Sequence, residues 1–200
     1  ALGKGDKIHV YKANMIIPQV YENITRSGNI EYPKVCPVCG CGLKLETEGA
    51  RVLRCVNDDC PAKNAKRIVH FAGKSGINIK GISEKTIEKL IAAGIIRDEV
   101  DLLDIENYKD EILKLDGFKE KSFENLKKAI DGAKTMTLQR FISAMAFTGI
   151  GYTNAGKIAA ALGFDVMKLF ELTPEKINNI EGLGEVLTES FMAELSDENM

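Results

Sequence analysis

Five cysteines lie in the first third of the chain, and four of them form two pairs. These are Cys36-Pro37-Val38-Cys39 and Cys55-Val56-Asn57-Asp58-Asp59-Cys60, with fifteen residues between them. The tight turn of a Cys-x2-Cys sequence brings two thiolates within reach of one metal ion, and its amides can donate to the sulfurs. Between the pairs, Leu43-Lys44-Leu45 and Val52-Leu53-Arg54 read as short strands around a Glu48-Gly49 turn. This is the layout of a four-cysteine zinc ribbon, with Cys36, Cys39, Cys55 and Cys60 as ligands of a structural Zn2+. Four spacers in the second pair, where two are commoner, require a wider loop. Cys41 stands too close to the first pair to join it and is expected to be free. Two disulfides are the competing chemistry, and a cytosolic chain disfavours them. A segment this short has too little core without the metal.

The second chemistry is phosphate binding. In Ala146–Leu162 the sequence Gly149-Ile150-Gly151 precedes apolar residues at Ala155, Ile158, Ala159 and Leu162, the buried stripe of an amphipathic helix. Leu138, Phe141, Ile142 and Met145 form another stripe upstream. The stretch reads helix, tight turn, helix. The first glycine allows a positive φ, the second lets a foreign backbone approach, and the helix start presents amides to an anion. That is the helix-hairpin-helix pattern of DNA binders without sequence specificity. It recurs: Gly182-Leu183-Gly184 lies 33 positions later, Gly117-Phe118-Lys119 lies 32 earlier, and Gly81-Ile82-Ser83 a further 36 earlier. Each copy is entered by an apolar residue two positions before its glycine: Ile79, Leu115, Phe147 and Ile180. A plain helical bundle with glycine turns is the bland reading, and four in-phase copies favour the array. The expected DNA contacts are Gly81, Ser83, Gly117, Lys119, Lys121, Gly149, Gly151, Thr153, Lys157, Gly182 and Gly184.

The net charge of −2 argues against a polyanion partner until it is divided. Residues 1–80 carry 13 Lys/Arg and 7 Asp/Glu, a balance of +6, whereas residues 81–200 carry 14 and 22, a balance of −8. Backbone amides hold phosphate without formal charge, which softens the objection. No acid occurs from Gly132 to Phe164, where Lys134, Arg140 and Lys157 surround the third hairpin, while Glu181, Glu185 and Glu189 surround the fourth. The third is therefore expected to grip DNA more strongly than the fourth. No apolar run is long enough for a membrane span, and no signal peptide precedes the first strand, so a cytoplasmic protein is expected.

Elsewhere, Lys7–Tyr11 alternates as a strand, with His9 on one of its faces. Ile16-Ile17-Pro18 reads as a second short strand ended by its proline. Two strands make no independent core, so this segment is the tail of a larger β domain or an appendage. Residues 25–33 read as a linker and Ala62–Phe71 as a basic helix carrying Lys63, Lys66 and Arg67, on which His70 is packed or solvent-facing. Thr173-Pro174 is a helix-start signal. Lys114-Leu115-Asp116-Gly117 matches the Lys-x-Asp-Gly signature of AMP-linked lysines, but it runs into a hairpin in helical surroundings and is rejected as a nucleophile. No other catalytic set is present. The fold class expected is α+β, mainly α.

In this order, the segment GDKIHVYKANMIIPQV, the CPVCG…RCVNDDCPAK module and four hairpins resemble the carboxy-terminal half of bacterial NAD-dependent DNA ligase. The resemblance implies the end of an OB-fold barrel at 1–24 and a zinc finger at 25–67. It implies a helix-hairpin-helix domain at 68–200, with hairpins at 79–91, 115–130, 147–162 and 180–195. Departures are Lys12–Pro18, where the family reads close to Arg-Ala-Gly-Asp-Val-Ile-Pro, and Ser83 and Lys119 in place of second glycines. Hairpins one and two are therefore expected to pack more than they grip. The implied chemistry seals nicks in duplex DNA, in replication and repair, with AMP taken from NAD by an adenylation domain expected before Ala1. A BRCT domain usually follows the hairpins. The chain is thus read as a DNA-clamping part, inactive alone, of an enzyme in the bacterial cytoplasm at the nucleoid. A free-standing repair adaptor and a protein-interaction scaffold are the alternatives.

Overall fold

Period-two alternation near the amino terminus produces an antiparallel hairpin, β1 (Ile8–Ala13) with β2 (Ile17–Asn23), in which Ala13 faces Ile17 and Ile8 faces Asn23. This computed structural model describes residues 2–30, 32–46 and 52–196. The hairpin turn places Asn14 and Met15 at φ of 49° and 64°, and Ile16 N donates to Ala13 O at 3.2 Å. Positive φ at both central positions matches the twist of the flanking strands. Pro18, expected to end the second strand, instead lies inside it opposite Lys12. In a two-stranded sheet each strand keeps an unpaired edge, where a residue without an N–H loses no ladder bond. Val10, Tyr11, Ile17 and Tyr21 are all exposed, so the hairpin has no core of its own. His9 lies on the strand, 3.7 Å from Glu22 across the pair.

Contacts divide the chain into two units, Ala1–Cys60 and Pro61–Met200. The first also holds β3 (Leu43–Glu46) paired antiparallel with β4 (Val52–Cys55). The Glu48-Gly49 turn expected between them lies outside the described residues.

The second unit is helical. It begins with α1 (Pro61–Ala72), α2 (Glu84–Ala92), α3 (Glu99–Leu103), α4 (Lys109–Leu113) and α5 (Glu120–Lys134). It continues with α6 (Leu138–Ala144), α7 (Tyr152–Ala161), α8 (Pro174–Asn178) and α9 (Glu185–Leu195). The helix start expected at Thr173 is present, with Thr173 as N-cap and Pro174 in the first turn. Among the described residues no helix is long and apolar enough to cross a membrane.

These helices bury two separate cores. One gathers Ile68 and Phe71 of α1, Ile87 and Leu90 of α2, Leu102, Ile112, and Phe123, Leu126 and Ile130 of α5. The other gathers Leu138 and Ile142 of α6, Ile158 of α7, Ile177 of α8 and Phe191 of α9. In the second core Phe147 meets Phe191 edge to face, with ring centroids 4.7 Å apart. His70 is packed: its Nε2 lies 3.1 Å from Ser143 O, a geometry that only a protonated ring nitrogen satisfies.

A polar knot ties α3 to the first core. Asp101, 9% exposed, accepts from Arg97 N and Nε, both at 3.0 Å, and from the Tyr108 hydroxyl at 2.6 Å. Arg97 first, then Tyr108, lowers its carboxyl from the ordinary 3.8 to about 2. A depressed carboxyl stabilises the fold above its ordinary value, and that contribution disappears as pH falls through the folded value. Thermal melts of Asp101→Asn should therefore lie below the parent at neutral pH. The gap should close between pH 3.8 and about 2; a gap independent of pH would show that the ionised carboxylate contributes nothing.

Candidate metal centre and nucleic-acid interface

The first cysteine pair is held by its own backbone. Gly40 N donates to Cys36 O at 2.9 Å and Cys36 N to Cys41 O at 2.7 Å, curling the loop so that both sulfurs face one point. The second pair is positioned by β4, whose Cys55 pairs with Leu43 of β3. Its longer loop is closed by Asn57, whose Oδ1 accepts from Asp59 N at 3.0 Å. An Asx turn of this kind absorbs the two extra residues locally.

The four sulfurs of Cys36, Cys39, Cys55 and Cys60 lie within 4.8 Å of one another. Cys36 and Cys60 stand 3.8 Å apart, Cys39 and Cys55 3.4 Å apart. Thiolates about 2.3 Å from a tetrahedral zinc stand about 3.8 Å from each other, so the donor set fits such an ion. Amides of Cys39 and then Val38 lower the Cys36 thiol, and the Cys41 amide brings Cys39 down to about 6. The knuckle backbone thus favours thiolates, the form that binds metal. At Cys55 the Asn57 amide lowers the thiol, but burial and the surrounding sulfurs outweigh it and push it up to about 12. Cys41 is outside the cluster, its Sγ directed at Cys39 O at 3.9 Å.

The four glycine turns share one geometry. Gly81, Gly117, Gly149 and Gly182 have φ of 82°, 82°, 73° and 84°. In three of them the middle amide donates back to the carbonyl of the apolar entry residue: Phe118 to Leu115, Ile150 to Phe147 and Leu183 to Ile180, at 3.0–3.1 Å. A β-turn with positive φ at its third residue is type II, which explains the glycine, while the entry residues are apolar because they pack in or against the two cores. The third position is the N-cap of the next helix in every copy: Ser83, Lys119, Gly151 and Gly184. Its φ is ordinary, −79° at both Gly151 and Gly184, so glycine is not needed there for conformation. A Cβ at either glycine would meet nothing within 4 Å, and the space outside them is open.

The copies differ in their free amides. Ser83 Oγ accepts from Thr86 N at 3.1 Å, and Ser122 Oγ accepts from Lys119 N at 2.8 Å. No side chain caps the first amides of α5, α7 or α9, which keep their donors for an outside oxygen; in α5 Ser122 takes only the amide of the N-cap Lys119 itself. Gly81, Ser83, Gly117, Lys119, Lys121, Gly149, Gly151, Thr153, Gly182 and Gly184 are all exposed, and Lys157 is half-buried. Lys114 is the exposed C-cap of the short α4, and Asp116-Gly117 forms the second turn itself.

The charge pattern changes on folding. Lys134 pairs with Asp131 at 3.5 Å. Arg140 donates to Lys74 O and Gly76 O at 3.2 and 2.8 Å and stands 5.5 Å from the Tyr152 ring centroid. Lys157 Nζ donates to Glu181 O at 2.5 Å. An acid also reaches the third turn from outside the neutral stretch: Glu194 accepts from Thr148 N at 2.9 Å. Asp131 and Glu194 reduce the local excess of positive charge at the third turn, on which its ranking above the fourth rests, while the carbonyls hold Arg140 and Lys157 without neutralising them. Glu194 leaves no local signal, because it lies 46 residues from Thr148.

No protein-family model matches the chain. Curated proteins called DNA ligase match nearly all of it. That of Lachnoclostridium phytofermentans is 42% identical over 193 residues, 96% of this chain and 30% of the relative. That of Ruminiclostridium cellulolyticum is 43% identical over 198 residues, 98% of this chain and 30% of the relative. That of Aquifex aeolicus is 38% identical over 186 residues, 90% of this chain and 25% of the relative. The chain spans about 30% of the length of the first two relatives.

Proposed function

We propose, from a chain homologous to a segment of bacterial DNA ligases, that it is the non-catalytic, DNA-clamping part of an NAD-dependent ligase. In this reading residues 1–24 end an OB-fold barrel, 25–67 form a zinc finger, and 68–200 form a helix-hairpin-helix domain. The exposed apolar faces of β1 and β2 support the first assignment, because they lack the rest of a barrel. Nicked duplex is the partner, and the adenylation domain of the same polypeptide supplies AMP from NAD and the bond-making chemistry. The setting is the bacterial cytoplasm, at the nucleoid.

The observation that carries this reading is the pair of uncapped helix starts behind open glycines at Gly151 and Gly184. Amides at a helix amino terminus bind phosphate oxygens, and such contacts hold a duplex without reading its bases. Hairpins one and two, in which Ser83 caps its own helix and Lys119 stands in place of the second glycine, contribute more to packing.

Gly151→Val and Gly184→Val test it, because both positions accept a side chain without strain in the fold. Each should leave the melting temperature nearly unchanged and weaken binding of nicked duplex about tenfold, the scale of a few lost phosphate contacts. Gly151→Val is expected to cost more, because Glu185 remains in the first turn of α9 and repels phosphate there. The Glu194 carboxylate at Thr148 N makes this difference smaller. Unchanged binding in both variants, or affinity independent of salt, would favour a protein-interaction scaffold instead. In the whole ligase the same changes should slow nick sealing chiefly at low DNA concentration.

A further inference from the structure

Two lysines, Lys89 and Lys157, serve turns other than their own. Lys89 and Lys157 occupy the same place, the sixth residue of α2 and of α7, the helices that follow the first and third turns. Lys89 Nζ donates to Asp116 O, the carbonyl before Gly117 of the second turn, and stands 5.9 Å from the Phe118 ring centroid. Lys157 Nζ donates to Glu181 O, the carbonyl before Gly182 of the fourth turn. A Cβ on Gly182 would lie 2.7 Å from that ammonium, so the missing side chain also makes room for the lysine. In the second pair the crossing is returned. Glu194 of α9 accepts from Thr148 N, the residue before Gly149, and Ser190 donates to its other oxygen at 3.2 Å. The residue at the corresponding place in α5 is Ala129, which has no such group.

We propose that Lys89 and Lys157 are positioning residues, each holding the turn of the neighbouring hairpin instead of its own. The proposal rests on the DNA-clamping reading above. Each ammonium spends one N–H on the turn carbonyl and keeps two; Lys157 thereby places positive charge beside a helix start whose own sequence, with Glu181, Glu185 and Glu189, is acidic. The charge that the fourth turn lacks locally arrives from the third hairpin's helix. Lys157 therefore acts through Gly184, not through Gly151, although Gly151 is much nearer in sequence.

A double-mutant cycle in the intact chain distinguishes these routes. Lys157→Met should weaken nicked-duplex binding roughly three- to tenfold, a moderate coupling for residues in contact. The same loss should appear in a Gly151→Val background and vanish in a Gly184→Val background. Lys157→Arg, which keeps charged donors, should restore most of the affinity. Amide exchange should quicken at Gly182 and Leu183 in Lys157→Met and stay unchanged at Ile150. Lys89→Met should add to Lys157→Met without coupling, because the two lysines belong to different pairs. A full loss retained in the Gly184→Val background, or unchanged exchange at the fourth turn, overturns the inference. If the parent chain binds no duplex at all, the clamping reading fails, and exchange at the fourth turn still decides whether Lys157 positions it.

Discussion

Replacing Cys55 with serine is expected to release the metal and unfold the ribbon around it. Among the described residues from 32 to 60, only Cys36 and Cys60 are buried. Among the described residues no apolar cluster holds β3 against β4, so a metal bound by the four sulfurs would take the part that a core plays elsewhere. Structural zinc sites contribute an apparent binding free energy of about 10–16 kcal/mol near neutral pH, far more than two short strands contribute alone. Metal analysis of the intact chain should find about one zinc per molecule, held by four sulfurs at ~2.3 Å. Cys55→Ser should lose most of it, and amide protection at Leu43, Leu45 and Leu53 should disappear. Cys41→Ser should retain both, because the Cys41 sulfur faces a carbonyl and not the cluster. Disulfides among these cysteines in a freshly reduced preparation, or full zinc occupancy in Cys55→Ser, would refute the assignment.

The second large effect is expected at Gly149. Its φ of 73° lies where a Cβ strains the backbone, and that Cβ would stand 2.2 Å from Leu187 Cδ2 of α9. A left-handed conformation costs an ordinary residue about 1–2 kcal/mol, and overpacking a well-filled contact typically adds about 1–3 kcal/mol. Leu187 can yield by turning, so the total expected for Gly149→Ala is roughly 2–4 kcal/mol. Gly151→Ala, two residues away, should change stability by no more than about 0.5 kcal/mol, as at ordinary exposed sites. Chemical denaturation of the two variants provides the comparison. Equally small losses would mean that the turn tolerates a side chain at both positions and that the positive φ at Gly149 is not required.

The contrast between these two glycines shows how much of the site was legible in advance. That the first turn position needs a positive φ follows from residue type and spacing, because turn chemistry acts over four residues. The apolar entry residues, the helix stripes and the cysteine spacing are likewise local, and each appears where the pattern places it. Even the four-residue loop between Cys55 and Cys60 closes through a side chain inside it, Asn57. Pro18 marks the limit of this kind of reading. A proline forbids a central strand but not an edge, and which of the two Ile17–Asn23 occupies depends on how many strands stand beside it.

The charge pattern shows the other side. Lys134, Arg140 and Lys157 form a basic cluster along the chain, but folding gives each a partner: Asp131 nearby, the carbonyls of Lys74 and Gly76, and the carbonyl of Glu181. Electrostatics follows distance in space, and three of these four partners lie 24 or more residues away. The sequence by itself determined the cysteine set that fits a metal, the repeated turns, and the kinship with DNA ligases, because these depend on spacing along the chain. Tertiary structure alone decided that the four turns fall into two pairs, each around its own core, and that Lys157 and Glu194 cross between the members of one pair. Packing sets those distances, and no periodicity along the chain encodes which helix end will come to rest against which turn.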